Sequence, residues 1–158
     1  MREIQLSQGQ VAIVDDEDFE VLAQYNWFAM RNPWTFYAAR QTGHGKGNQK
    51  IQGMHRFLLN VTDPRIQVHH RDHNGLHNWR ANIVACTHTQ NQWNKSSARG
   101  SSSRFLGVYR TRWGYAAAIK QDGISTHLGT FPVEEDAARA YNRAALERRG
   151  EWAGLNPV

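Results

Sequence analysis

Residues 68–94 read Val68-His69-His70-Arg71-Asp72-His73-Asn74-Gly75-Leu76-His77-Asn78-Trp79-Arg80-Ala81-Asn82-Ile83-Val84-Ala85-Cys86-Thr87-His88-Thr89-Gln90-Asn91-Gln92-Trp93-Asn94, and this order of residue types predicts strand, loop, strand, helix. His69 and His70 end a short apolar strand. Neighbours on a strand point to opposite faces, so the two imidazoles take different roles unless the strand stops there. Asp72-His73-Asn74-Gly75 supplies a tight turn, with Asn74-Gly75 matching type I′ chemistry. The chain returns through Ala81-Asn82-Ile83-Val84. Thr87 with Gln90 three residues later forms a capping box that starts a helix near His88. Asn91 and Asn94 then fall one turn apart on that helix, and polar, ligating groups stand at each junction.

Outward on the N-terminal side, Glu3-Ile4-Gln5-Leu6 and Gln10-Val11-Ala12-Ile13-Val14 alternate around Gln8-Gly9 and predict a hairpin. Asp15 to Tyr25 has helical spacing with Phe19, Val21, Leu22 and Tyr25 inward, and Asp15 to Asp18 supplies capping oxygens and negative charge. Trp27 to Met30 and Thr35 to Arg40 predict a strand pair. Thr42 to Lys50, with its glycines, reads as a loop or long hairpin tip, and Ile51 to Asn60 as a short helix with Met54, Phe57, Leu58 and Leu59 inward.

On the other side, Lys95 to Arg104 is small, polar and basic, the composition of a linker. Leu106 to Arg110, Tyr115 to Lys120 and Ser125 to Phe131 then alternate as three strands, the last two joined by Asp122-Gly123. Pro132 opens a helix to about Arg149, acidic in its first turn and basic in its last, with Ala137, Ala138, Ala140, Tyr141, Ala144 and Ala145 allowing close approach to a sheet. Ala117 and Ile119 are expected to face this helix, leaving Ala118, Lys120, Ser125 and His127 on the opposite side.

The 158 residues hold one ordinary domain or two small ones. A net charge of +5 suits a polyanionic partner. Cys86 is the sole cysteine, so no intramolecular disulfide forms, which fits a reducing setting. The N-terminus lacks an apolar signal region, and no stretch approaches a membrane span, so the expected location is the cytoplasm.

Residues 68–94 resemble the HNH endonucleases, the ββα-metal nucleases, and the spacing His70, Asn82, Asn91 is similar to that of phage-type homing members. The resemblance implies DNA phosphodiester hydrolysis, with His70 as the general base and Asn82 accepting a hydrogen bond from the other ring nitrogen of His70. It implies that His69 and Asn91 hold one divalent metal ion, Mg2+ or Mn2+, with His88 and Asn94 as alternative helix ligands. This sequence departs from those relatives in having His69 where Asp is common and Asn91 where part of the family has His. A zinc site using Cys86 with His69, His73 or His88 is the competing metal reading. His55-Arg56, in Met54-His55-Arg56-Phe57-Leu58-Leu59, resembles an element found upstream of the motif, read as packing with Arg56 as a phosphate contact. Arg80 is a further DNA-contact candidate.

Phe105 to Asn156 resembles the APETALA/ethylene-response-factor type of DNA-binding domain, on Gly107-Val108-Tyr109-Arg110-Thr111-Arg112-Trp113-Gly114, His127-Leu128-Gly129-Thr130-Phe131 and Ala153-Gly154-Leu155-Asn156. That family places a three-stranded sheet in the DNA major groove, which makes Arg110, Arg112, Trp113, Lys120 and His127 the contact candidates. Tyr109, Thr111, Ala118 and Ser125 stand where plant members often have Arg or Glu, so base specificity does not carry over. The expected fold class is α+β, with a nuclease domain over residues 1–94 (ββα-metal core about 66–95), a linker over 95–104 and the DNA-binding domain over 105–158. The expected function is that of a phage or homing-type nuclease acting on double-stranded DNA in a bacterial cell. The alternative is a catalytically inactive DNA-binding regulator.

Overall fold

The computed structural model describes residues 1–33, 35–43, 49–93 and 100–158. It is a mixed helix-and-strand protein of several small sheets and few helices, and it divides into two compact units, Met1–His88 and Thr89–Val158.

In the first unit, β1 (Arg2–Gln5) and β2 (Val11–Val14) form the expected antiparallel hairpin, closed through Gln8 and Gly9 at φ of 62° and 65°. Helix α1 (Asp16–Leu22) is shorter than its sequence pattern and buries a different set. Leu22 is buried and Phe19 packs on the core, but Val21 is 49% exposed and Tyr25 is exposed as well. The inward place is taken by Asp18, only 8% exposed, because its carboxylate meets the Arg80 guanidinium at 2.7 and 2.9 Å. Asp15 does not cap α1 with its side chain; its Oδ2 accepts the Arg80 backbone N–H at 2.7 Å.

Strands β3 (Phe28–Arg31), β4 (Phe36–Thr42) and β5 (Lys50–Gly53) form an antiparallel sheet in that order. The last strand corrects the helix expected from Ile51. Lys50 to Gly53 pairs with β4, and Gln52 accepts two hydrogen bonds from its register partner Arg40, so helix α2 (Met54–Leu58) begins only after Gly53. Residues 44–48 of the glycine-containing stretch lie outside the described residues.

Strands β6 (Gln67–His70) and β7 (Ile83–Cys86) pair antiparallel, with His69 opposite Val84 and His70 opposite Ile83. Ile83 belongs to the same core as Ile4, Ala12, Val14, Leu22, Trp27, Ala38, Met54 and Leu58, with Val68 packed on its rim. The hairpin carrying the two histidines is therefore seated by apolar burial, the largest favourable contribution available to it. Helix α3 (His88–Trp93) follows Thr87, starting where the capping pattern put it, and from Thr89 on it belongs to the second unit.

The second unit is a sheet of β8 (Val108–Thr111), β9 (Gly114–Gln121) and β10 (Ile124–Phe131), in the order β10-β9-β8, with helix α4 (Glu134–Arg149). Asp122 and Gly123 both have positive φ, 50° and 82°, as a type I′ hairpin turn requires. Ala117 packs with Ala137, Ala138 and Ala140, and Ile119 with Tyr141 and Ala145, which is the helix-facing side expected from alternation. The small residues let helix and sheet approach closely, and Arg149 extends that interface by donating to the Tyr141 hydroxyl and the Lys120 carbonyl. Asn156 locks the C-terminal segment: its side chain bonds both the N–H and the C=O of Leu106, and its backbone exchanges two bonds with the Asn142 side chain. Part of the expected linker belongs here, since the Ser102 and Ser103 hydroxyls accept the backbone N–H groups of Arg110 and Phe105. Residues 94–99 are outside the described residues.

Candidate active site

His70 ends β6 and is 5% exposed. Its Nε2 lies 3.3 Å from Oδ1 of Asn78, while the rings of His55 and Tyr37 stand 5.2 and 5.8 Å from its own. Burial pulls the His70 imidazole below the usual histidine range, against the opposing pull of the Asn78 hydrogen bond and of Asp72. His55 is held lower still, to about 3, by burial first and then by His70 and Arg56, so it is a neutral ring at physiological pH. A neutral His70 beside a neutral His55 is a proton acceptor rather than a cation.

Within the loop of residues 71–82 several bonds converge on the Asp72 carboxylate. Asp72 accepts the Asn74 backbone N–H at 3.0 Å, the Asn82 amide at 2.9 Å and the His77 Nδ1–H at 2.5 Å, and these bonds hold its own carboxyl below the usual range despite burial. The loop is also tied to β2: Ile13 and His77 form an isolated parallel bridge, Ile13 donates to the Leu76 carbonyl, and Asn78 donates to the Ile13 carbonyl at 2.7 Å. The turn is not type I′ at Asn74-Gly75, because the positive φ (62°) belongs to His73. Gly75 is required for space instead. A Cβ there would lie 2.5 Å from the Phe36 carbonyl oxygen and 2.6 Å from the Tyr37 ring, the same ring that flanks His70.

This arrangement revises the expected role of Asn82. Its amide donates to Asp72 and to the His77 carbonyl, and its oxygen accepts the Asp72 N–H at 3.1 Å, so it braces the loop and does not touch His70. The amide oxygen that meets His70 is that of Asn78. Nothing in the local pattern singles out Asn78, a polar residue in a stretch read as a loop, yet it is fully buried.

Arg56 and Arg80 are likewise committed within the protein. Arg56 donates to the Ile66 and Asp63 carbonyls, and Arg80 grips Asp18 and the Leu58 carbonyl. Through these bonds both side chains help brace the fold.

Among the described residues no three of His, Cys, Asp and Glu gather as a metal-ligand group. Burial pushes the Cys86 thiol up. His69 is half-buried on β6 with the His73 ring 5.3 Å away, and Asn91 lies on α3. His88, the alternative helix ligand, has Nδ1 3.0 Å from the Gln67 amide; Asn94 is outside the described residues.

In the second unit Arg112, Trp113, Lys120 and His127 are exposed, Trp113 at 77% with the Arg112 guanidinium 4.8 Å over its ring. The strand register places Ser125 opposite Lys120 and His127 opposite Ala118, all on the side away from α4. Arg110 is exposed but shares the alternation of buried Val108, whose partner is Ala117; the outer-face residue on β8 is its neighbour Tyr109, opposite Ala116. Among the described residues no helix is long and apolar enough to cross a membrane.

No family model matches the chain, and no solved structure matches it. Relatives are found among curated proteins. An uncharacterized HNH endonuclease of Acanthamoeba polyphaga mimivirus is 29% identical over 157 residues, 96% of this chain and 77% of that protein. Ethylene-responsive transcription factor LEP of Arabidopsis thaliana is 49% identical over 59 residues, 35% of this chain and 28% of that protein. Ethylene-responsive transcription factor FZP of Oryza sativa subsp. japonica is 48% identical over 58 residues, 35% of this chain and 18% of that protein, so the chain spans only a small part of these plant relatives. The chain is thus similar along nearly its whole length to a protein described as an HNH endonuclease and over a shorter stretch to ethylene-responsive transcription factors, the combination its two motifs implied.

Proposed function

We propose that this protein is a metal-dependent DNA endonuclease whose ββα-metal core is β6, β7 and α3, with His70 as general base. The single observation that carries the reading is the environment of His70: an imidazole at the end of a core-seated strand, kept neutral by burial and hydrogen-bonded through one ring nitrogen to Asn78. A neutral imidazole is a competent acceptor for the proton of an attacking water at physiological pH. His69 and Asn91 would hold one Mg2+ or Mn2+ ion, which when bound neutralises phosphate charge and stabilises the leaving oxygen. Asn82 and Asp72 keep the loop that presents His70 and Asn78 in one geometry.

Residues 105–158 would bind double-stranded DNA through the outer face of the sheet, with Arg112, Trp113, Lys120 and His127 among its contacts, and the stretch from 95 would tether it to residues 1–94. Linkage of this kind raises the local concentration of the nuclease at its target. The similarity to a mimivirus protein and to plant transcription factors supports both halves of this reading. The phage or homing-type lifestyle and a cytoplasmic location in a bacterial cell are part of the same proposal.

The test is incubation of the purified chain with supercoiled plasmid in Mg2+, in Mn2+ and in EDTA. Nicked or linear product with either metal and none with EDTA is expected. Binding without cleavage in every metal would instead make the protein a DNA-binding regulator.

A further inference from the structure

We propose that Asn78 is a positioning residue that fixes the tautomer of His70, keeping the ring proton on Nε2 and leaving the Nδ1 lone pair to act. This rests on the reading of His70 as the base and names the residue that aims it.

Asn78 is fully buried, with 0% of its surface exposed, and its side chain has one available orientation. Its Nδ2 faces the Gly75 carbonyl at 3.4 Å, so turning the amide over would set oxygen against oxygen. Oδ1 therefore faces His70 Nε2 at 3.3 Å as an acceptor. An acceptor there demands a donor on the ring, and a neutral imidazole carries a single N–H. Nδ1 is left unprotonated. It makes no hydrogen bond among the described residues.

The neighbours leave this task to Asn78. Asn82 is spent on Asp72 and His77, and the His55 and Tyr37 rings contact His70 as ring edges and faces. Rigidity comes from the backbone: the Asn78 N–H bonds Ile13 of β2, and Gly75 is wedged against Phe36 and Tyr37. A base whose lone pair is aimed in advance loses no reorganisation at the moment of proton transfer.

The experiment is a long-range proton–nitrogen NMR correlation of the full-length chain labelled with 15N-histidine, metal-free at neutral pH, with His70→Ala identifying the His70 signals. Plasmid cleavage in Mg2+ is measured on the same proteins. Wild type is expected to show the Nε2–H tautomer. Asn78→Leu, similar in shape but without an acceptor, should shift His70 toward the other tautomer and lower the cleavage rate at saturating DNA by on the order of 10²-fold, with KM little changed. Asn78→Asp, which restores an acceptor, should keep the Nε2–H tautomer and recover most of the rate. An Nδ1–H tautomer in wild type overturns the proposal even if Asn78→Leu fails to fold, as does an unchanged tautomer in folded Asn78→Leu. A tautomer shift in a chain that cleaves no DNA would uphold the positioning role and overturn only the reading of His70 as the base.

Discussion

Asn82 holds Asp72 from both sides: its amide nitrogen lies 2.9 Å from the Asp72 carboxylate and its amide oxygen 3.1 Å from the Asp72 backbone nitrogen. The residue at the centre of the motif thus acts on the loop, and the loop in turn fixes what surrounds His70.

Asn82→Ala should therefore cost stability as well as activity. Three hydrogen bonds vanish, two of them to Asp72, a loss of about 2–3 kcal/mol. Urea unfolding measures this, and a midpoint equal to wild type would show that the loop does not depend on Asn82.

Arg80→Ala should lower stability by about 1–2 kcal/mol by leaving Asp18 without its partner in the core. The salt dependence of DNA binding should stay as in wild type, because the guanidinium is already occupied. A slope that falls by about one on a log–log plot of affinity against salt would return Arg80 to the DNA interface.

Much of this organisation is legible in the sequence. The β6–β7–α3 order, the Asp122-Gly123 hairpin and the inward placement of Ala117 and Ile119 follow from periodicity and turn chemistry, because apolar burial and backbone geometry enforce them locally. What was not legible depends on contacts between distant segments. Asp18 is buried because Arg80, sixty-two positions away, reaches it. Lys50 to Gly53 is a strand because β4 offers an edge, and Gly75 is needed because Tyr37 comes close. Asn78 meets His70 from a loop whose backbone is bonded to Ile13, sixty-five positions away. Spacing picks out His70 and Asn82 in the sequence, but not Asn78, which meets His70 in the fold.

Stability should fall as pH drops below 6.5. His55 has a folded value near 3 against an ordinary 6.5, so the unfolded chain binds a proton through that interval while the folded chain does not. The His55 contribution is complete above pH 6.5 and is lost progressively toward pH 3, with a full span on the order of 5 kcal/mol. His70 shifts in the same direction and adds to the loss. Urea unfolding across this range, in wild type and His55→Phe, should give a flatter profile in the variant; identical profiles would show that His55 is not held neutral.

Arg112→Ala and Lys120→Ala should each reduce the salt slope of DNA binding by about one, leaving the metal titration of cleavage unchanged. Both side chains are exposed. Binding of a duplex across a salt series reads the slope, and unchanged slopes in both variants would remove the outer sheet face from the interface.

The most direct test of the nuclease reading is the single-turnover cleavage rate of His70→Ala beside its DNA affinity, with saturating Mg2+. Loss of the base should slow cleavage by about 10²–10⁴-fold while the gel-shift midpoint stays close to wild type. Cleavage at the wild-type rate by a variant that binds DNA normally would contradict the account.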